Sequence, residues 1–124
     1  AAADVVSCAT LATEPLVLGR WLAPGCHLDL IGSFTPLMRE ADDACFVGAE
    51  LFIDTEEALH KSGDLLGPQS RGVIAGAQAT LAELCRGSAP GRRTAQQRTV
   101  FKSVGTALED LAAAALVVQG MVPN

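Results

Sequence analysis

Gly25-Cys26-His27-Leu28-Asp29-Leu30-Ile31-Gly32-Ser33-Phe34-Thr35-Pro36 is the stretch on which the reading of the fold turns. His27 to Ile31 is mostly apolar and is bounded by Pro24-Gly25 and Gly32-Ser33. A short apolar run between turn residues is the pattern of a strand buried in a parallel sheet. Ligands of open α/β sheets lie beyond the carboxyl ends of such strands. The Gly32-Ser33-Phe34 turn is therefore the first place to look for a binding site.

Working outward, three more stretches read as strands: Asp4 to Ala9, Leu51 to Asp54 and Thr99 to Lys102. Helical segments are expected between them. Thr13 and Pro15 predict a cap and first turn for a short helix through Leu22. Ala41, Ala44, Cys45 and Val47 recur at helical spacing and predict a helix over Arg39 to Val47, with Glu40, Asp42 and Asp43 on a solvated face. Asp54 and Glu57 form a capping-box pattern for a helix to about Lys61, stopped by Gly63. Gly67 to Ala79 reads as a loop. Thr80-Leu81-Ala82-Glu83 is a second capping box, opening a helix to Arg86 with Gly87 at its end. Ser88 to Gln97 is a polar loop. Thr106 to Gln119 is an alanine-rich long helix, ended by Gly120 and Pro123. Strands alternating with helices argue an α/β fold, a parallel sheet with flanking helices. The turns Ala9-Thr10, Gly32-Ser33 and Ser103-Val104-Gly105 would then share one rim, where small residues let a ligand come close to the backbone.

The bulk numbers narrow the function classes. The chain has 124 residues, enough for one domain with its own core. Its net charge is −5 and its basic residues are scattered, which argues against nucleic acid as a partner. No apolar run is long enough for a membrane span, and the opening Ala1-Ala2-Ala3-Asp4 lacks a signal-like pattern, so a cytoplasmic protein without a membrane partner is expected. The four cysteines form no C-x-x-C pair and His27 and His60 stand alone, so buried reduced thiols and no metal site are expected. A strand directly after Asp4 leaves its edge uncovered, and this predicts that the chain is a piece of something longer.

Few side chains carry obvious chemistry. The Ser103 turn leads from a strand toward a helix, where free amides suit an anion or a polar ring amide; Ser103 as a plain helix cap is the simpler alternative. Gly72 to Ala79 lacks the G-x-G-x-x-G spacing and a preceding strand, and reads as a packed loop. Lys102 reads either as a ligand for a carboxylate or phosphate, or as a lysine snorkelling from a strand end. His27 reads as a satisfied core histidine. No Ser/His/Asp or Cys/His constellation is evident.

Thr10-Leu11-Ala12-Thr13-Glu14-Pro15, Gly25 through Pro36, Arg39-Glu40-Ala41-Asp42, Ser62-Gly63-Asp64, and Thr99-Val100-Phe101-Lys102-Ser103-Val104-Gly105 with Leu108-Glu109-Asp110 together resemble the ornithine cyclodeaminase/mu-crystallin family. The 29–36 and 39–42 segments look most like its bacterial Δ1-pyrroline-2-carboxylate reductases. The resemblance implies that residues 1–124 are the C-terminal part of an NAD(P)-binding Rossmann-type domain. It implies that the substrate-binding and dimerising domain, the phosphate loop and the ribose-reading residue lie elsewhere. The intact protein would be a homodimeric, NAD(P)H-dependent imine reductase acting on a small cyclic imino acid. This stretch alone would be inactive.

Carried over by position, the resemblance places Thr10, Ile31, Gly32, Ser33 and Ser103 at the cofactor, and Phe34 and Val104 near the substrate. Phe34 stands where the cyclodeaminases have an aspartate, and Met38 where some members have a lysine. Loss of ammonia needs a carboxylate to handle protons; reduction of a preformed cyclic imine asks for a positioned hydride donor, an anchor and a proton source. Phe34 therefore favours imine reduction and leaves the catalytic acid unassigned. The alternatives are an ornithine cyclodeaminase or amino-acid dehydrogenase whose acid lies elsewhere, a cofactor-gated binding protein of mu-crystallin type without turnover, and an inert remnant.

Overall fold

The computed structural model describes residues 3–121, with no side-chain description for residue 121. Five strands form one parallel sheet: β1 (Val5–Cys8), β2 (His27–Leu30), β3 (Glu50–Ile53), β4 (Ala79–Thr80) and β5 (Thr99–Lys102). Their order in space is β1-β2-β5-β3-β4. The chain thus lays β3 one place away from β2, adds β4 outside it, and returns β5 into the gap. Leu28 and Leu51 flank Val100 in register. Three short helices accompany the sheet, α1 (Ala58–Lys61), α2 (Gly63–Ser70) and α3 (Leu81–Arg86), and a longer one, α4 (Ala107–Met121), follows β5. The core gathers Leu28, Leu30, Ile53, Leu65 and Val100, none more than 1% exposed, with Ala41 and Cys45. Fully burying each of the large aliphatic side chains contributes about 1.5–3 kcal/mol.

The expected strands are present: β1 and β2 are shortened at their ends, β3 is shifted by one residue, β5 runs over Thr99–Lys102 as expected, and the two-residue β4 is an addition. The expected α3 is there with its full capping box: Thr80 Oγ1 accepts from Glu83 N, and the Glu83 carboxylate accepts from Thr80 N. Gly87 closes it at φ 70°, a left-handed conformation that glycine adopts without a Cβ penalty. The final helix starts at Ala107.

Four local expectations fail, three because tertiary hydrogen bonds outcompete the local pattern and the fourth, at Gly63, because of packing. Residues 13–22 hold only a 3-10 turn at Gly19–Trp21, because Leu16 N and Val17 N donate to Glu40 O and Val17 bridges to Ala41 as a strand would. Residues 39–47 hold only a 3-10 turn at Asp43–Cys45: Glu40 N and Ala41 N donate to Asp64, and Asp42 caps the turn from outside. Asp54 does not cap α1; its carboxylate is turned toward β5. Gly63 does not end a helix but begins α2, which carries Pro68 inside it. A Cβ on Gly63 would strike the Pro36 and Met38 carbonyls, so glycine is required there by packing and not by helix termination.

Cys8, Cys26 and Cys45 are buried free thiols, and Cys85 is exposed. Among the described residues no helix is long and apolar enough to cross a membrane, and no group of three or more His, Cys, Asp or Glu is placed to hold a metal.

Candidate functional site

Parallel strands bring all five carboxyl ends to one rim. The ladder between β1 and β2 closes with Ile31 N donating to Cys8 O at 2.8 Å, and that between β2 and β5 with Ser103 N donating to Leu30 O at 3.0 Å. The turns beginning at Thr10, Gly32 and Ser103 therefore stand side by side, as the sequence predicts.

What holds them there is a layer of buried polar side chains. Glu40 is fully buried. Its Oε1 accepts from Thr10 N at 2.5 Å and from Thr10 Oγ1 at 2.9 Å, and its Oε2 accepts from Gly32 N at 2.8 Å. Asp64, equally buried, takes Glu40 N (2.8 Å) and Ala41 N (3.0 Å) on Oδ1. Ser33 Oγ donates to Met38 O at 2.6 Å, accepts from Asp64 N at 3.2 Å, and lies 3.1 Å from Ser62 Oγ. On the far side of β5, Asp54 Oδ2 accepts from Ser103 Oγ (2.9 Å), Val104 N (2.8 Å) and Gly105 N (2.7 Å). Backbone amides thus satisfy the Glu40 and Asp54 carboxylates and Oδ1 of Asp64, which would otherwise be costly to bury, while Asp64 Oδ2 is buried without a hydrogen-bond partner.

Lys102 completes this layer. It alternates onto the same side of β5 as Val100, is wholly buried, and donates from Nζ to Leu30 O at 3.0 Å. It is neither a free ligand for an anion nor a snorkelling side chain. Burial pulls its ammonium below the ordinary lysine range, and the charges of Asp64, Glu40, Asp54 and Asp29 oppose that shift. Burial pushes Asp64 up, against its bonds from Ala41 and Glu40 and the Lys102 charge. The acidic segment 40–43 is likewise not a solvated face. Glu40 is buried, Asp42 accepts from Gly19 N, and Asp43 pairs with Arg39 and Arg71.

The rim residues singled out by sequence now divide. Ile31 is 41% exposed and Phe34 48% exposed, on the open side of the turn. Gly32 and Ser33 are buried beneath them. A Cβ on Gly32 would collide with the Thr10 backbone and the Glu40 carboxylate, so glycine is needed there for the neighbouring turn. The Ser33 hydroxyl faces inward. Thr10 is half-buried with its hydroxyl committed to Glu40. Ser103 is half-buried, and the donors of its turn are taken by Asp54. It is not the cap of α4, which begins four residues later. Val104 packs on the core, and Met38 is buried. His27 Nδ1 lies 2.8 Å from Thr99 Oγ1 at the opposite end of the strands.

Sequence reading missed the roles of Glu40, Asp54, Asp64 and Lys102. The available signal was for Lys102 alone: it falls in phase with buried Val100. Leu11 and Leu37, 76% and 83% exposed, extend the apolar surface of the loops that follow β1 and β2.

Comparison with known proteins gives this arrangement relatives. The sequence model of the ornithine cyclodeaminase/mu-crystallin family matches residues 1–123. The chain is 44% identical over 123 residues to a Δ1-pyrroline-2-carboxylate reductase of Paracoccus denitrificans, covering 96% of this chain and 39% of that protein. It is 42% identical over 118 residues to the ketimine reductase mu-crystallin of Mus musculus, covering 93% and 35%. Among solved structures, Thermococcus litoralis Δ1-pyrroline-2-carboxylate reductase in complex with NADH and L-proline matches with a TM-score of 0.88 and 35% identity, over 99% of this chain and 41% of that one. The chain spans 35% to 41% of the length of these relatives.

Proposed function

The chain belongs to the ornithine cyclodeaminase/mu-crystallin family, and from that premise we propose that it is the nicotinamide-facing part of an NAD(P)H-dependent oxidoreductase that reduces a cyclic imino acid of the Δ1-pyrroline-2-carboxylate type to proline or a relative. The observation that carries this reading is Phe34. The exposed side chain at the mouth of β2 is an aromatic ring, while Glu40, Asp54 and Asp64 lie buried and bonded to backbone amides. An apolar ring beside the strand ends suits a flat imine and offers no carboxylate for deamination. The likeness to reductases named for cyclic imines supports the same substrate class.

The residues present fit one end of the cofactor. Ile31 and Phe34 give an apolar floor for a nicotinamide ring at the place where open α/β sheets take ligands, with the Thr10 and Ser103 turns on either side. The reduced ring, when bound, supplies the hydride; this chain's part is to seat it, to hold Phe34 against the substrate and to keep water from that face. Among the described residues no helix start suits the pyrophosphate. Asp64, Glu83, and Glu109 with Asp110 stand in the first turns of α2, α3 and α4, where they oppose an anion. Phosphate recognition, and the choice between NADH and NADPH, therefore fall to the rest of a longer protein, which on this reading is a cytoplasmic homodimer.

The test is hydride transfer by the full-length protein. NAD(P)H oxidation by Δ1-pyrroline-2-carboxylate without ammonia release from ornithine is the expected result. Conversion of ornithine to proline with no reduction of the imine would sink the reading.

A further inference from the structure

We propose that Glu40 is a positioning residue, a clamp that locks the Thr10 turn onto the Gly32 turn and so fixes where Ile31 and Phe34 meet cofactor and substrate; this rests on the functional reading above. The two turns follow different strands and lie 22 positions apart in sequence. The last ladder bond between β1 and β2 is that of Ile31 N to Cys8 O. Beyond it, the Glu40 carboxylate takes over, one oxygen on Thr10 and the other on Gly32. The turns touch so closely that no Cβ fits at Gly32.

The clamp is itself held. Glu40 N donates to Asp64 Oδ1, and Glu40 O accepts from Leu16 N at 2.8 Å and Val17 N at 2.9 Å. Its charge is also balanced from below, since the Lys102 ammonium sits under the same turns and donates to Leu30 O. A carboxylate is the group this geometry requires. Both oxygens must accept, because both facing atoms are amide donors. Glutamine would keep one acceptor and set an NH2 group against Gly32 N–H.

The experiment compares wild type, Glu40→Gln and a core variant, Leu65→Ala, in the full-length protein. Hydrogen exchange is read on peptides spanning Thr10 and Gly32, together with KM for NADH and kcat on the imine. Glu40→Gln is expected to raise exchange at Gly32 and KM for NADH by about tenfold or more, the scale of one charge-assisted hydrogen bond. Leu65→Ala, at a core residue that makes no hydrogen bond to either turn, leaves both near wild type even where its thermal stability falls as far. Thr10→Val removes the hydroxyl, and with it the bond to Glu40 and the one accepted from Ala12 N, but keeps the Thr10 amide on Glu40; it gives a smaller rise, and serves where Glu40→Gln does not fold. Unchanged exchange at Gly32 in Glu40→Gln, or an equal rise in Leu65→Ala, overturns the clamp. Raised exchange with unaltered KM and kcat overturns the positioning role. A wild-type protein that reduces no imine and binds neither NADH nor NADPH overturns the functional reading instead, and the exchange result then decides the clamp by itself.

Discussion

Beneath the rim, Glu40, Asp64 and Lys102 are 0% exposed; along α4, Leu108, Leu111, Leu116, Val117 and Val118 are 61% to 75% exposed. The first region buries charge and the second displays apolar side chains, each against the usual preference. The difference lies in what satisfies the backbone. Under the rim, amides of four separate segments (Thr10, Gly32, Glu40-Ala41 and Val104-Gly105) converge on three carboxylates. Each of those bonds ties distant pieces of chain together, and each removal leaves a buried group without a partner. In α4 the backbone bonds are internal to the helix, so its alanine-rich sequence sustains it locally. Its side chains add little packing. The rim is cooperative with the whole fold, and α4 is nearly independent of it.

The largest effect expected from this contrast is at Lys102. Lys102→Met keeps the length of the side chain and deletes the ammonium. It leaves Asp64 and Glu40 buried without the positive charge nearby, and since Lys102 Nζ bonds Leu30 O and pairs directly with neither carboxylate, the expected loss is about 1–3 kcal/mol. The deficit should shrink as pH is lowered. Burial already pushes Asp64 upward, and an acid raised in the folded state favours the fold below its ordinary value and loses that contribution as pH rises through the raised one. Urea titrations of both proteins between pH 4 and about 8 measure it. A loss under about 1 kcal/mol, or one independent of pH, would show that the buried layer is not held by charge.

How much of this was legible in the sequence follows the same division. Features fixed by neighbours in the chain could be read: the strands around Leu28 and Val100 from their apolar runs, α3 from Thr80 and Glu83, and α4 from its alanines. Features fixed by distant partners could not. Residues 39–47 have helical spacing, yet Asp64, 23 and 24 positions away, takes the amides of Ala41 and Glu40. Asp54 stands where a helix cap belongs, yet its stronger partners are the donors of the Ser103 turn, 49 to 51 positions on. Glu40 sat in an acidic segment that composition assigns to the surface. The exposed half of the site, Ile31 and Phe34, was legible because strand-end turns point to a ligand; its buried supports were not.

Cys8 offers an intermediate effect at the border of the polar layer. Burial, and then the Glu40 charge, push its thiol from 9.0 to about 11. The unfolded thiol ionises from about pH 9, so stability is fully present below that and is lost as pH rises toward 11, at about 1.4 kcal/mol per pH unit. Cys8→Ala should flatten the alkaline limb of a stability–pH curve by that amount. In a thiol-labelling assay at pH 9, exposed Cys85 should react first while Cys8 stays protected. Prompt labelling of Cys8 would mean that the end of β1 opens, and that the Glu40 layer beside it is looser than its bonds indicate.

The smallest effect belongs to α4. Leu116→Ala deletes a large apolar side chain that is 70% exposed, whereas the same change at Leu65, fully buried in the core, costs about 2–5 kcal/mol. At Leu116 little transfer free energy is lost and no cavity is opened, and alanine is the better helix former. The expected change is within about 0.5 kcal/mol of zero, with helical circular dichroism retained, both read in one denaturant titration of this chain. A loss of 2 kcal/mol or more at Leu116, comparable to the buried case, would mean that α4 is bound to the sheet after all and that its stability is shared with the rim.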